Sequence, residues 1–133
     1  MKKLFLTCLF VLLLCGCNVS SKSLILFNNQ PIVKENLLKD KKFFSIDKRV
    51  YYIFLTEKKL TNDFIRVQVF KMSDKASFGG AEVVRTKDFR LMKNEGYYFT
   101  DYFVFHEPAH YVLQVFSHDD FTRPLAVNDF YIK

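Results

Sequence analysis

Five consecutive residues, His106-Glu107-Pro108-Ala109-His110, spell H-E-x-x-H. On a helix that spacing sets two imidazoles on one face to hold zinc, with the intervening glutamate as general base. Pro108 stands against this geometry. Inside a helix its ring clashes with the preceding turn and its missing N–H breaks the ladder, at about 3 kcal/mol. A helix opening at Pro108 would leave His106 outside it, and Glu107, preceding a proline, is pushed toward extended geometry. The residues on both sides alternate as strands, so the segment reads as a strand-to-strand corner. Metal binding by His106 and His110 across that corner is the alternative. His118 with Asp119 and Asp120 is a second possible ligand cluster, but adjacent carboxylates there suit a turn, and calcium needs six or more oxygens. Gly79-Gly80 alone marks a turn, and no nucleophile triad or phosphate loop is evident.

The chain that must position these groups has 133 residues, half of them hydrophobic, with 16 Phe, 7 Tyr and no Trp. This is one domain with enough apolar material for a core, of an aromatic kind that favours strands. Nothing in the sequence divides it further.

The first seventeen residues differ from the rest. Lys2 and Lys3 precede an apolar run over 4–14, too short to span a bilayer, which takes about 20 residues; Gly16 then precedes Cys17. This is the pattern of a secretion signal. Its end, Leu14-Cys15-Gly16-Cys17, resembles the lipobox of bacterial lipoproteins, with Cys15 departing from the usual small residue at the second position. The resemblance implies cleavage before Cys17, acylation of Cys17, and attachment to the extracytoplasmic side of a membrane; Asn18 resembles the outer-membrane-directed pattern of diderm bacteria. Residues 1–16 are then the signal, 17–22 a short leash and 23–133 the domain. All three cysteines, Cys8, Cys15 and Cys17, fall in or at the end of the signal. Cleavage leaves one thiol, which lipidation consumes, so no disulfide, thiol nucleophile or cysteine-ligated metal is expected in the domain. Losing Lys2 and Lys3 lowers the formal charge from +6 to +4, too mild to argue for nucleic acid.

After the leash, strand signals follow one another: SLILF (23–27), with PIVKENLL (31–38) extending or pairing beside it, then RVYYIFLT (49–56) and DFIRVQVFK (63–71). Two short edge-like pieces, AEVVR and DFRLM, precede 96–105, 110–116 and 124–133. Residues 49–56 are apolar throughout, as in a strand covered on both faces. Residues 65, 67 and 69 alternate cleanly with polar neighbours. Thr61-Asn62-Asp63, Asn94-Glu95-Gly96 and Asp119-Asp120 supply turn chemistry. Seven or eight short strands and no amphipathic helix predict an all-β, antiparallel sandwich; a small barrel is the alternative.

The stretch EPAHYVLQV places Tyr111 after a Pro/Ala corner and Leu113 two residues later. It resembles the tyrosine corner of immunoglobulin-like domains. The final strands also resemble those of bacterial immunoglobulin-like modules. The resemblance implies that the Tyr111 hydroxyl returns to the backbone a few residues upstream, with Pro108 shaping the corner, and that Leu113 stands where antibodies carry their second core cysteine.

The basic segment 39–49, KDKKFFSIDKR, has two readings. Lys41, Lys42, Phe43 and Phe44 form a surface for an acidic partner or lipid headgroups, or the two phenylalanines enter the core with solvated lysines around them. In a sandwich, the loops 57–62 and 117–123 share the end where the first strand begins, and hence the anchored end. Segments 28–48 and 73–80, the 106–110 corner and Lys133 gather at the other, where a partner would meet Lys41, Lys42 and Phe78 first. The expected function is a non-catalytic binding or accessory lipoprotein of the envelope, without cofactor, contacting a protein or envelope component. The alternatives are a metal-binding protein or metal-dependent enzyme using His106, His110 and His118, and an inhibitor that inserts its loops into another protein's cleft.

Overall fold

Among the described residues eight strands form two sheets: β1 (Ser23–Asn28), β2 (Phe43–Phe44), β3 (Arg49–Thr56), β4 (Phe64–Met72), β5 (Ala81–Arg90), β6 (Tyr98–Val104), β7 (Ala109–Ser117) and β8 (Ala126–Ile132). The computed structural model describes residues 22–73, 80–93 and 96–133. The expected signal, Cys17, the leash before Lys22, Phe78 and Gly79 lie outside the described residues. The three-stranded sheet runs β1-β3-β6 and the five-stranded sheet β2-β8-β7-β4-β5. Every pairing is antiparallel except β2 with β8, where Phe43 aligns with Tyr131 and Phe44 with Ile132. The first part of the chain thus serves both sheets, β1 against β3 and β2 against β8.

Alternation decides what the core contains. Ile65, Val67 and Val69 of β4 are fully buried, as are Leu113 and Val115 of β7, and they face Val50, Tyr52 and Phe54 of β3 across the sandwich. Phe130 is the hub at one end, with Phe27 at 4.7 Å, Phe105 at 5.4 Å and Tyr111 at 5.6 Å between ring centroids. Such tilted and offset contacts add roughly 0.5–1.5 kcal/mol each beyond area burial.

Three elements differ from the sequence expectation. Residues 31–38 are a turn-rich strap and not a strand. Asn36 closes it locally: its side chain accepts from Val33 N–H and donates to the Pro31 carbonyl, using backbone groups that a ladder would need. Ile32, Val33 and Leu37 line a groove with Ile53 and Leu55, on the outward face of β3. Ile53 is accordingly buried, which explains the unbroken apolar run of that strand. The pieces AEVVR and DFRLM belong chiefly to one ten-residue edge strand, β5, whose register shifts between Val69 and Phe70 of its partner. That strand is exposed along most of its length, and Lys87 reaches inward to Asp101 of β6 at 2.6 Å. An inward-pointing charge of this kind blocks edge-to-edge strand addition. The third difference is β2 itself, two residues long and carrying no periodic signal.

The two ends are distinct. Glu57 N–H donates to the Lys22 carbonyl, Leu60 N–H to Gly96, and the Asn62 amide to Asp119, so the 57–62 and 117–123 loops meet beside the start of β1. At the far end Asp47 N–H donates to Phe105 and Ile46 N–H to Lys133, gathering the β2–β3 turn, the 105–108 corner and the chain terminus.

Candidate functional site

The corner is a bend between β6 and β7, and its proline interrupts no helix. The Tyr111 hydroxyl donates to the Glu107 carbonyl at 2.8 Å, while its ring packs on Phe105 at 4.4 Å. Burial raises the phenol's pKa. Lys71 pairs with the Glu107 carboxylate, which this contact holds below the ordinary glutamate range. A cleft of about 220 Å³ opens here between Lys71, Glu82, Arg85 and His106.

The three histidines engage three different carboxylates. His106 Nδ1 lies 2.5 Å from Asp47, His110 Nε2 lies 2.8 Å from Asp129, and His118 Nε2 lies 3.3 Å from Asp88 at the opposite end. Asp47 has a left-handed backbone (φ 60°), a conformation that Asp tolerates better than most residues. His110 is not a free corner residue: it stacks on Tyr131 at 4.4 Å on the outer face of the five-stranded sheet. Its hydrogen bond, followed by that of Lys42, depresses the Asp129 pKa. Asp88 is likewise depressed, first by Arg66 and then by His118. Asp120 accepts from Thr122 and Asp119 from Asn62, so the 118–120 cluster is built as a turn. Among the described residues no group of three His, Cys, Asp or Glu side chains converges as a metal site.

The basic segment divides residue by residue. Phe44 is 6% exposed and packs on Phe130, so most of its ring belongs to the core, with an edge at the cleft described below. The alternation of even a two-residue strand sends its neighbour outward: Phe43 is 59% exposed, stacked on Tyr131. Lys42 is partly exposed, and its ammonium ties together the Asn128 side chain, the Asp129 carbonyl and the Asp40 carboxylate. That tie closes the seam between β1 and β8. Lys41 is exposed and reaches Asn29 at 3.0 Å.

What the segment does build is a second cleft, about 510 Å³, between Phe43, Ser45, Lys48 and Arg49 on one side and Tyr51, Asn29 and Lys133 on the others. Its size falls within the roughly 300–1,000 Å³ of small-ligand sites. The Lys133 ammonium sits 4.1 Å above the Phe43 ring and the Arg49 guanidinium 4.6 Å above Tyr102. Arg49 also donates to the Tyr51 hydroxyl, which raises its pKa. Lys48, Arg49 and Phe43 lie inside the basic run. Tyr51 follows two residues after Arg49 on β3, and Lys133, expected at this end of the sandwich, is set over Phe43 by the pairing of β2 with β8.

No known protein family matches the sequence, and no curated protein matches it significantly. Solved structures do resemble the fold. An immunoglobulin-like protein from Pseudomonas aeruginosa is 11% identical, with a TM-score of 0.53 over 87% of this chain and 100% of that one. An alkylpurine DNA glycosylase from Pseudomonas fluorescens, bound to DNA containing an abasic site analog, is 12% identical with a TM-score of 0.45, the match covering 86% of this chain and 30% of that one. A beta-glucosidase from Listeria innocua is 12% identical with a TM-score of 0.39, over 84% of this chain and 16% of that one. The fold is an immunoglobulin-like β-sandwich, all-β and of eight strands among the described residues.

Proposed function

We propose that this protein is a lipid-anchored binding module of the bacterial cell envelope, with no chemistry of its own, which presents the end of its sandwich remote from Lys22 to a protein partner. One observation carries the reading: the aromatic, cationic cleft lies at the end opposite Lys22 and the 57–62 loop. The leash from Cys17 to Ser23 extends about 20 Å at most, and β4, nine residues long, accounts for a further length of about 30 Å. Anchored at Cys17, the domain therefore directs Lys48, Arg49 and Lys133 away from the membrane. The lipobox resemblance supports the anchor. The separation of the three histidines onto different carboxylates favours binding over metal chemistry.

Two measurements test this reading. Labelling with a fatty-acid analogue is expected to mark the wild-type protein and not Cys17→Ala; label persisting in the variant contradicts the anchor. Co-purification of detergent-solubilised full-length protein is expected to recover the same partner repeatedly, with recovery lost on changes at the far end and kept on changes at Lys58. Recovery that depends on Lys58 alone reverses the orientation.

A further inference from the structure

The charges at the far end are unevenly compensated. Asp47 faces His106, Glu107 faces Lys71, and Asp40 and Asp129 face Lys42, so every one of these carboxylates already has a cationic or imidazole partner. Elsewhere on the domain, Arg66 is held by Asp88 and Lys87 by Asp101. Among the described residues Lys48, Arg49 and Lys133 have no ion-pair partner, and the cleft they share is lined by no acidic side chain. Arg49 and Lys133 rest on aromatic rings, which orients them without neutralising their charge.

We propose that this cleft binds an acidic segment of a partner polypeptide, seating a carboxylate among Lys48, Arg49 and Lys133 and a neighbouring apolar side chain against Phe43 and Tyr51. The inference rests on the binding-module reading and names the partner's chemistry. A polyanion such as nucleic acid or an acidic glycan needs a continuous track of unpaired positive charge. Here Lys48, Arg49 and Lys133 converge on one pocket, whereas Lys42, Lys71, Lys87 and Arg66 are each paired with a carboxylate. The volume suits a few side chains, and the exposed Phe43 ring offers an apolar wall that a bare inorganic anion would not use. Guanidinium and ammonium groups flanking an aromatic wall are the chemistry that reads a carboxylate beside a hydrophobic residue.

The experiment uses detergent-solubilised full-length protein and a fluorescein-labelled Gly/Ser peptide containing Glu-Glu-Phe-Glu, read by fluorescence anisotropy. Saturable binding is expected, weakening as ionic strength rises from about 0.05 M to about 0.5 M because screening shortens from about 14 Å to about 4 Å. An unlabelled peptide with Gln in place of Glu should fail to compete. Arg49→Gln combined with Lys133→Gln should weaken binding about tenfold or more, and Lys58→Gln combined with Lys93→Gln, which removes the same net charge at the other end, should change it by less than about twofold. Both double variants alter exposed side chains, and thermal unfolding verifies that they remain folded. Equal loss in both variants, absence of binding, or displacement by inorganic phosphate at peptide concentrations overturns the proposal. If co-purification succeeds through the far end while the peptide does not bind, the acidic-segment inference falls and the binding-module reading stands.

Discussion

Replacing Tyr52 by phenylalanine removes a hydroxyl that is fully buried and, among the described residues, meets no hydrogen-bond partner. Replacing Tyr111 by phenylalanine removes one that donates to the Glu107 carbonyl. The chemical change is identical, and the expected signs are opposite. Tyr52 lies stacked 5.4 Å from Phe103 and edge-on to Phe99 at 6.0 Å, so its ring is held by contacts that phenylalanine keeps. Its hydroxyl contributes only desolvation, whose cost is about 1–3 kcal/mol for an unpaired buried group; burial accordingly drives its pKa far above the ordinary tyrosine value. Losing the oxygen leaves a small gap that returns part of the gain, so Tyr52→Phe should stabilise the domain by about 1 kcal/mol. Tyr111→Phe should cost about 0.5–1.5 kcal/mol, the net worth of one hydrogen bond. Each kcal/mol moves the melting temperature of a domain this size by about 4 °C. Thermal and urea unfolding followed by circular dichroism would show Tyr52→Phe melting above wild type and Tyr111→Phe below it. A Tyr52→Phe variant destabilised by more than about 1 kcal/mol would mean that the hydroxyl has a partner and would refute the packing account.

Other perturbations separate the roles of neighbouring groups. Asp47→Ala should lose about 1–2 kcal/mol because alanine is strained at φ 60°, whereas Asp47→Gly, which loses only an exposed contact to His106, should stay within about 1 kcal/mol of wild type by the same unfolding assay. The depressed pKa of Asp129 makes its contribution to stability present above the unfolded carboxylate pKa, near 4, and lost as pH falls through the lower folded value; carboxyl NMR titration should show that pKa rising toward the ordinary range in His110→Ala. Zinc-loaded protein, dialysed and subjected to elemental analysis, should retain no stoichiometric metal, and one retained equivalent would revive the metal reading of His106 and His110.

The parts of the fold legible in the sequence were those decided by local periodicity. Residues 49–56 announce β3 by length and apolarity, and the alternation around Ile65, Val67 and Val69 announces β4. Tyr111 and Pro108 were readable because a corner is a short-range motif. The strap over Ile53 was not, since its apolar residues serve a distant strand's outer face while Asn36 closes it with side-chain bonds. The division between Phe43 and Phe44 was equally hidden: two adjacent rings carry no periodicity, and the parallel ladder to β8 sends one outward and one inward. The cleft follows from that same long-range pairing. It brings Lys133 over Phe43, ninety residues away in sequence, and no composition or spacing within the basic run signals it.

Placing a photo-crosslinking amino acid at Ser45, on the cleft, or at Lys58, at the end beside Lys22, and illuminating living cells tests most directly which end of the sandwich engages a partner. A discrete protein adduct from position 45 that is absent from position 58, and that disappears in the Arg49→Gln/Lys133→Gln background, is the predicted result. An adduct from position 58 with none from position 45 would contradict the account.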